Sequence, residues 1–129
     1  MRRRSHRNDE RGAAAVEFAL ILSVLVVILF GITEFGRVFN ELETLNSAAR
    51  EGARVAAVRG TPDQVQQAVV DAAVDTTIGP GTPTPDKTCS EDTVGEEVTV
   101  SWTQHLTIEI PLLPELSKDV TIKGVFRCE

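Results

Sequence analysis

Histidine and cysteine are scarce in this 129-residue chain, with two of each: His6 and His105, Cys89 and Cys128. Neither histidine stands at zinc-site spacing. No Ser/His/Asp or Cys/His set is available for nucleophilic catalysis, and no glycine-rich phosphate loop leads into a helix. The neighbours Glu96 and Glu97 lie in strand-like sequence, where successive side chains point to opposite faces. No catalytic residue, metal site or cofactor is expected, and the chain does not read as an enzyme. Proline is missing until Pro62, so nothing in the first sixty residues forces a helix to stop.

What is present is a long apolar run. From Ala13 to Ile32 the only polar side chains are Glu17 and Ser23. As a helix these 20 residues extend about 30 Å, the hydrocarbon thickness of a bilayer. Charge is divided around that run. Residues 1–12 carry five arginines (Arg2, Arg3, Arg4, Arg7, Arg11) against Asp9 and Glu10, a net +3; the chain totals −6, which leaves −9 beyond Gly12. A basic flank beside the first apolar segment is retained on the cytoplasmic side, so the acidic body faces outward. The arginines would also suit a nucleic-acid arm, but beside a membrane-type segment the retention signal is the better reading, and no nucleic-acid partner is expected. A secretory signal peptide fits worse. Its apolar core is only about 7–15 residues and ends at a small-x-small cleavage site, and "GITEFGRVFN" offers none.

The organisation follows from periodicity. Residues 1–12 are polar, basic and expected to be unstructured. Phe35, Val38, Leu42, Leu45, Ala49 and Ala53 recur every three or four residues, the stripe of an amphipathic helix. One helix from Ala13 to about Arg59 is expected, with Gly31 and Gly36 as places for a bend at the membrane exit. Gly60 is placed to stop it, and Thr61-Pro62 to start another as N-cap and first-turn proline. That second helix puts Val65, Ala68, Val69, Ala72 and Ala73 on one face. "GPGTPTPD" at 79–86 reads as a loop. Beyond it the period is two. "EEVTVSW" turns Val98, Val100 and Trp102 one way, "LTIEI" Leu106, Ile108 and Ile110, and "DVTIKGVF" Val120 and Ile122; each run reads as a half-buried strand. "PLLPEL" connects the last two runs, and residues 86–95 offer a further strand. The expected fold is α+β: an N-terminal transmembrane helix continuing into a long amphipathic helix packed on a small antiparallel sheet, with a second short helix. Ala48, Ala49, Gly52, Ala53, Ala56 and Ala57 give the long helix a face without bulk, fit for close packing. Arg50, Arg54 and Arg59 read as solvated charges, with an anionic partner as the alternative.

Both cysteines fall in the outer part. An even count in an exported domain reads as one disulfide, Cys89–Cys128; a pair of free or metal-binding thiols is the alternative. Glu17 is the residue that most needs a reason. A lone carboxylate near a helix centre in lipid costs roughly 2.5–3.5 kcal/mol. Glu17 is only the fifth residue of the run, so it either reaches back to water or finds a cation once helices assemble. A chain cut after Gly12 would supply one, the new α-amino group of Ala13, a helical turn from the glutamate of a shifted neighbour.

This arrangement, "G-AAAVEF" followed by "ALILSVLVVILFGI", resembles the class III signal of type IV pilin-like proteins. Glu17-Phe18 matches the Glu-aromatic pair of tight-adherence pilins. "RGAAAVEFALIL", "FGITEFGRVF" and "LNSAAREGARVAAVRG" together resemble the TadE-like family, pilin-like minor subunits of the tight-adherence (Flp) pilus. In most other type IV pilins the residue after the cut is aromatic; here it is Ala13. The resemblance implies a leader over 1–12 removed between Gly12 and Ala13 by a prepilin peptidase, a membrane helix over 13–32 and an extracytoplasmic pilin-like domain over 33–129. It implies that Glu17 and Phe18 serve assembly, and that the partners are other pilins and pilus-assembly membrane proteins, in a homo- or hetero-oligomer. Two rival readings remain: an uncleaved single-pass surface binding module, and a secretion-machine scaffold that never enters a filament.

Overall fold

The computed structural model describes residues 6–74, 76–79 and 81–129, and side chains from Gly12 onward. Helix α1 runs from His6 to Ala57 and α2 from Pro62 to Ala72. A two-residue strand β1 (Thr84–Pro85), a 3-10 turn (Glu91–Thr93) and two 12-residue strands follow, β2 (Glu97–Ile108) and β3 (Leu116–Arg127). The sheet is antiparallel in the order β1-β2-β3. The class is α+β, with one long helix laid on the sheet and a short helix beside it.

Helix α1 passes through Gly31 and Gly36 without interruption. It begins earlier than its apolar run: the backbone is already helical from His6, so the expectation of an unstructured stretch is corrected for residues 6–12. For residues 1–5 that expectation lies outside the described residues. At the other end the N–H of Arg59 donates to Ala56 O and that of Gly60 to Val55 O. This is the paired closure of a Schellman cap. The left-handed residue is Arg59, at φ 67°, and not Gly60. Gly60 is needed one position on, because a Cβ there would press against the carbonyl oxygen of Val55. Helix α2 then opens on a reciprocal capping box: Gln64 N–H donates to Thr61 Oγ1 (3.3 Å), and Thr61 N–H to Gln64 Oε1 (2.9 Å).

The core sits where the last third of α1 crosses the sheet. Leu45, the alanines 48, 49, 53, 56 and 57, Val65 and Val69 of α2, and Val98, Val100, Trp102 and Ile122 of the sheet form one buried cluster with Cys89 and Cys128. Each valine or leucine so buried contributes about 1.5–3 kcal/mol. The small face lets neighbours close in. A Cβ on Gly52 would collide with the Val69 side chain. Within the cluster the indole Nε1 of Trp102 is buried and has no hydrogen-bond partner among the described residues.

Four further sequence expectations change. Phe35 does not join the stripe; it is 67 % exposed, and the buried series starts at Val38. The runs at 96–102 and 106–110 are not two strands but the single strand β2. Trp102, Gln104 and Leu106 are in phase and all buried, so the polar Gln104 only masked its continuity. The loop over 79–86 contains β1, whose Thr84 pairs with Ser101. Residues 86–95 add no strand; they hold the 3-10 turn.

Candidate functional site

Three regions carry the residues singled out by sequence: the N-terminal part of α1, its junction with the sheet, and the clasp at the chain end. In the first, Gly12, Ala13, Glu17 and Phe18 all stand exposed on uninterrupted helix. Ala13 and Glu17 are four residues apart and therefore share a face. Among the described residues a Cβ on Gly12 would meet nothing within 4 Å, so they give no packing reason for glycine there. Among the described residues the Glu17 carboxylate has no ionic or hydrogen-bonding partner.

Around them the helix is apolar on every side. Val16, Phe18, Leu20, Ile21, Leu25, Leu29 and Ile32 all face outward. The helix is long and apolar enough to cross a membrane, and its most apolar stretch has no residue buried by the described remainder of the chain. A helix that is apolar all round needs an apolar surrounding. Its hydroxyls are already satisfied: Ser23 Oγ donates to Leu20 O at 2.8 Å, and Thr33 Oγ1 to Leu29 O at 3.0 Å. Internal satisfaction of polar groups is what a hydrocarbon medium requires.

Just past Ile32 the chemistry changes to a polar latch. Arg37 pairs with Glu34 (Nη2–Oε1 2.6 Å) and Glu41 (Nη1–Oε2 3.4 Å), and its Nη2 also donates to Thr107 O at 2.8 Å. Glu34 in turn accepts from the backbone N–H of Glu109 at 3.4 Å. The end of β2 is thereby tied to α1. The hydrogen bond from Arg37 holds the Glu34 carboxyl below its usual value, and the carboxylate raises the guanidinium. Deeper in, Gln104 closes the same edge. Its Nε2 donates to Thr77 O (3.0 Å) and Glu41 Oε1 (3.3 Å), while its Oε1 accepts from Gly79 N–H (2.6 Å). Sequence reading missed this set. Its signals were Glu34, Arg37 and Glu41 at three- and four-residue spacing, and Gln104 in phase with Trp102 and Leu106.

At the far end Cys89 and Cys128 are joined by a disulfide, with Cα atoms 5.5 Å apart. Cys128 N–H donates to Glu96 O, and Glu129 N–H to Ala57 O at the end of α1. Beside it Lys87 pairs with Glu96 at 2.8 Å, which raises the lysine. Of the arginines on the outer face, Arg54 meets Glu51 at 3.4 Å and Arg59 meets Glu91 at 3.6 Å. His105 faces Asp119 across the two long strands. Among the described residues no group of three or more His, Cys, Asp or Glu is placed to hold a metal ion.

Fold and site together define an α+β protein in which a single N-terminal helix is both candidate membrane anchor and spine of the folded head. Most of that helix is similar to a known family. Residues 12–54, a third of the chain, match the family model described as TadE-like protein, the family that the sequence motifs resemble. The match begins at Gly12, takes in Glu17, Phe18, the apolar run and the latch residues of α1, and ends inside the small-residue face. The family is associated with the tight-adherence (Flp) pilus. No curated protein and no solved structure matches the chain.

Proposed function

We propose that this chain is a minor pilin or pseudopilin of a tight-adherence pilus, acting in pilus assembly or priming and in surface adhesion. Residues 1–12 form the cytoplasmic leader, residues 13–32 cross the membrane, and residues 33–129 stand outside as the head. A prepilin peptidase cuts between Gly12 and Ala13. Glu17 then receives the Ala13 ammonium of a neighbouring subunit, with Phe18 beside it on the apolar surface. The observation that carries this reading is the uncovered apolar helix with Gly12 and Glu17 at pilin offset, inside the TadE-like match. Gly12 supports it further, since a glycine without a packing role among the described residues suits a peptidase that must approach bare backbone.

The test is the mass of the mature N-terminus in cells holding an active prepilin peptidase, together with the protein content of sheared surface fibres. A chain beginning at Ala13 and present in fibres is expected, and Gly12→Val is expected to stay uncut. Intact chains as the sole membrane species would leave the anchored binding module instead. Cleaved chains that never reach fibres would favour the secretion-machine scaffold.

A further inference from the structure

The β2–β3 hairpin does not end at the membrane exit; it descends beside the anchor. Leu112, at its tip, forms a shallow groove with Ser23, Val24, Val27 and Ile28 of α1. Higher up, Ile110 lies against Gly31, where a Cβ would sit 3.8 Å from Ile110 Cδ1. Ile28 is four residues below Ile32 and Ser23 nine, so at 1.5 Å per residue the tip sits about 6–14 Å below the outer end of the apolar run. The latch of Glu34 and Arg37 to Glu109 N–H and Thr107 O fixes the hairpin immediately above that level.

The tip is built for apolar surroundings. Leu112 is 89 % exposed, and Leu113 and Leu116 also point outward. Leu112 holds this position at φ 71°, a left-handed backbone that glycine would adopt freely and leucine does not. Strain kept at an exposed leucine points to a use for its side chain. Unpaired backbone is the chief obstacle to placing a loop in lipid. Here Pro111 and Pro114 carry no N–H, and Leu113 N–H donates to Ile110 O at 3.1 Å. No lysine or arginine lies between Ile110 and Leu116, while Glu109 and Glu115 flank the tip. Attraction to anionic headgroups is not the driving force.

We infer that the hairpin tip, Leu112 and Leu113 foremost, is a second membrane contact that inserts into the outer leaflet beside the anchor helix. The inference rests on the proposal that residues 13–32 cross the membrane. Its occupant is the acyl region of the bilayer, reached through apolar contact alone. The head is thereby held at two points, so it cannot swivel freely about the helix at its exit.

The test uses the full chain in phosphatidylcholine vesicles, with an environment-sensitive fluorophore on a single added cysteine at Leu112→Cys, Leu113→Cys, Leu25→Cys or Val94→Cys. All four sites are exposed, and labelling without reductant leaves Cys89–Cys128 closed. Labels at 112 and 113 are expected to lose fluorescence to nitroxide on the acyl chains, as at 25, and to resist aqueous iodide, which quenches 94. Iodide quenching at 112 and 113 with 25 still in lipid overturns the inference and leaves the anchor intact. Protection from both quenchers also overturns it, by showing a protein cover such as a second copy. Iodide quenching at 25 removes the membrane-crossing reading, and the inference with it.

Discussion

Gly124 of β3 lies directly against Ala49 of α1, backbone to backbone: a Cβ on Gly124 would overlap the carbonyl group of Ala49. Gly124 faces Val100 in the sheet register, so the crossing falls at the centre of the buried cluster. Two small residues from elements 75 positions apart set how closely the spine of the protein approaches its sheet.

That contact has no slack, because backbone cannot rotate away as a side chain can. Gly124→Ala is expected to destabilise the head by about 1–3 kcal/mol, the usual cost of overpacking. Gly52→Ala should cost less, since the obstacle there is the Val69 side chain. Gly36→Ala meets nothing within 4 Å and is expected to stabilise α1 by up to about 1 kcal/mol. Denaturant unfolding of the three variants in detergent gives the order directly; equal midpoints for Gly124→Ala and wild type would contradict the close approach.

The Glu34–Arg37 latch predicts a pH dependence. Glu34 is held below its ordinary value of 4.5, chiefly by its hydrogen bond from Arg37. A depressed carboxyl contributes stability that is present above its unfolded pKa and lost as pH falls through the folded one. The latch is therefore intact at pH 7 and weakens below about pH 4.5. Glu34→Gln should be less stable than wild type at neutral pH, with the two curves converging in acid. Unfolding midpoints from pH 7 to pH 3 read this; parallel curves would mean that the ion pair contributes nothing.

The disulfide spans 39 residues of sequence. Loop-closure entropy for a ring of that size corresponds to about 4 kcal/mol. Replacing both cysteines by serine should lower head stability by that order and free the chain end from Ala57. Peptide mapping without reductant is expected to recover Cys89 linked to Cys128, and two alkylatable thiols in protein from the cell surface would count against the link.

Glu17→Gln separates the two uses of that carboxylate. A residue that only reaches headgroups should tolerate glutamine, which also hydrogen-bonds there. If Glu17 receives the Ala13 ammonium of a neighbour, the change strands a desolvated charge at a cost of a few kcal/mol. Each 1.4 kcal/mol is tenfold in association. The variant is expected to be cut and inserted normally, yet to be depleted at least tenfold from pilus complexes. Equal recovery of variant and wild type in sheared fibres would return Glu17 to the headgroup role.

Sequence alone determined the parts whose causes are local. The unbroken proline-free run makes α1, Thr61-Pro62 with Gln64 makes the start of α2, and the alternation of Val98, Val100 and Trp102 makes strand. Each depends on neighbours within one or two turns, so periodicity reads it. The candidate residues Gly12, Glu17 and Phe18 were legible for the same reason, as a linear pattern on one helix. Tertiary structure decided what depends on distant partners. Gln104 can be buried in mid-strand only because Thr77, Gly79 and Glu41, 25 to 63 residues away, satisfy its amide. Phe35 fits the apolar stripe by spacing but is exposed; the buried positions of the helix start at Val38, and its members of the core cluster at Leu45. The depth of Leu112 beside Val24 and Val27 depends on how far two paired strands extend past the latch at Arg37. No local rule encodes that placement, because Leu112 and Val24 are brought together by the docking of the paired strands on α1, seen at Gly124 and Ala49.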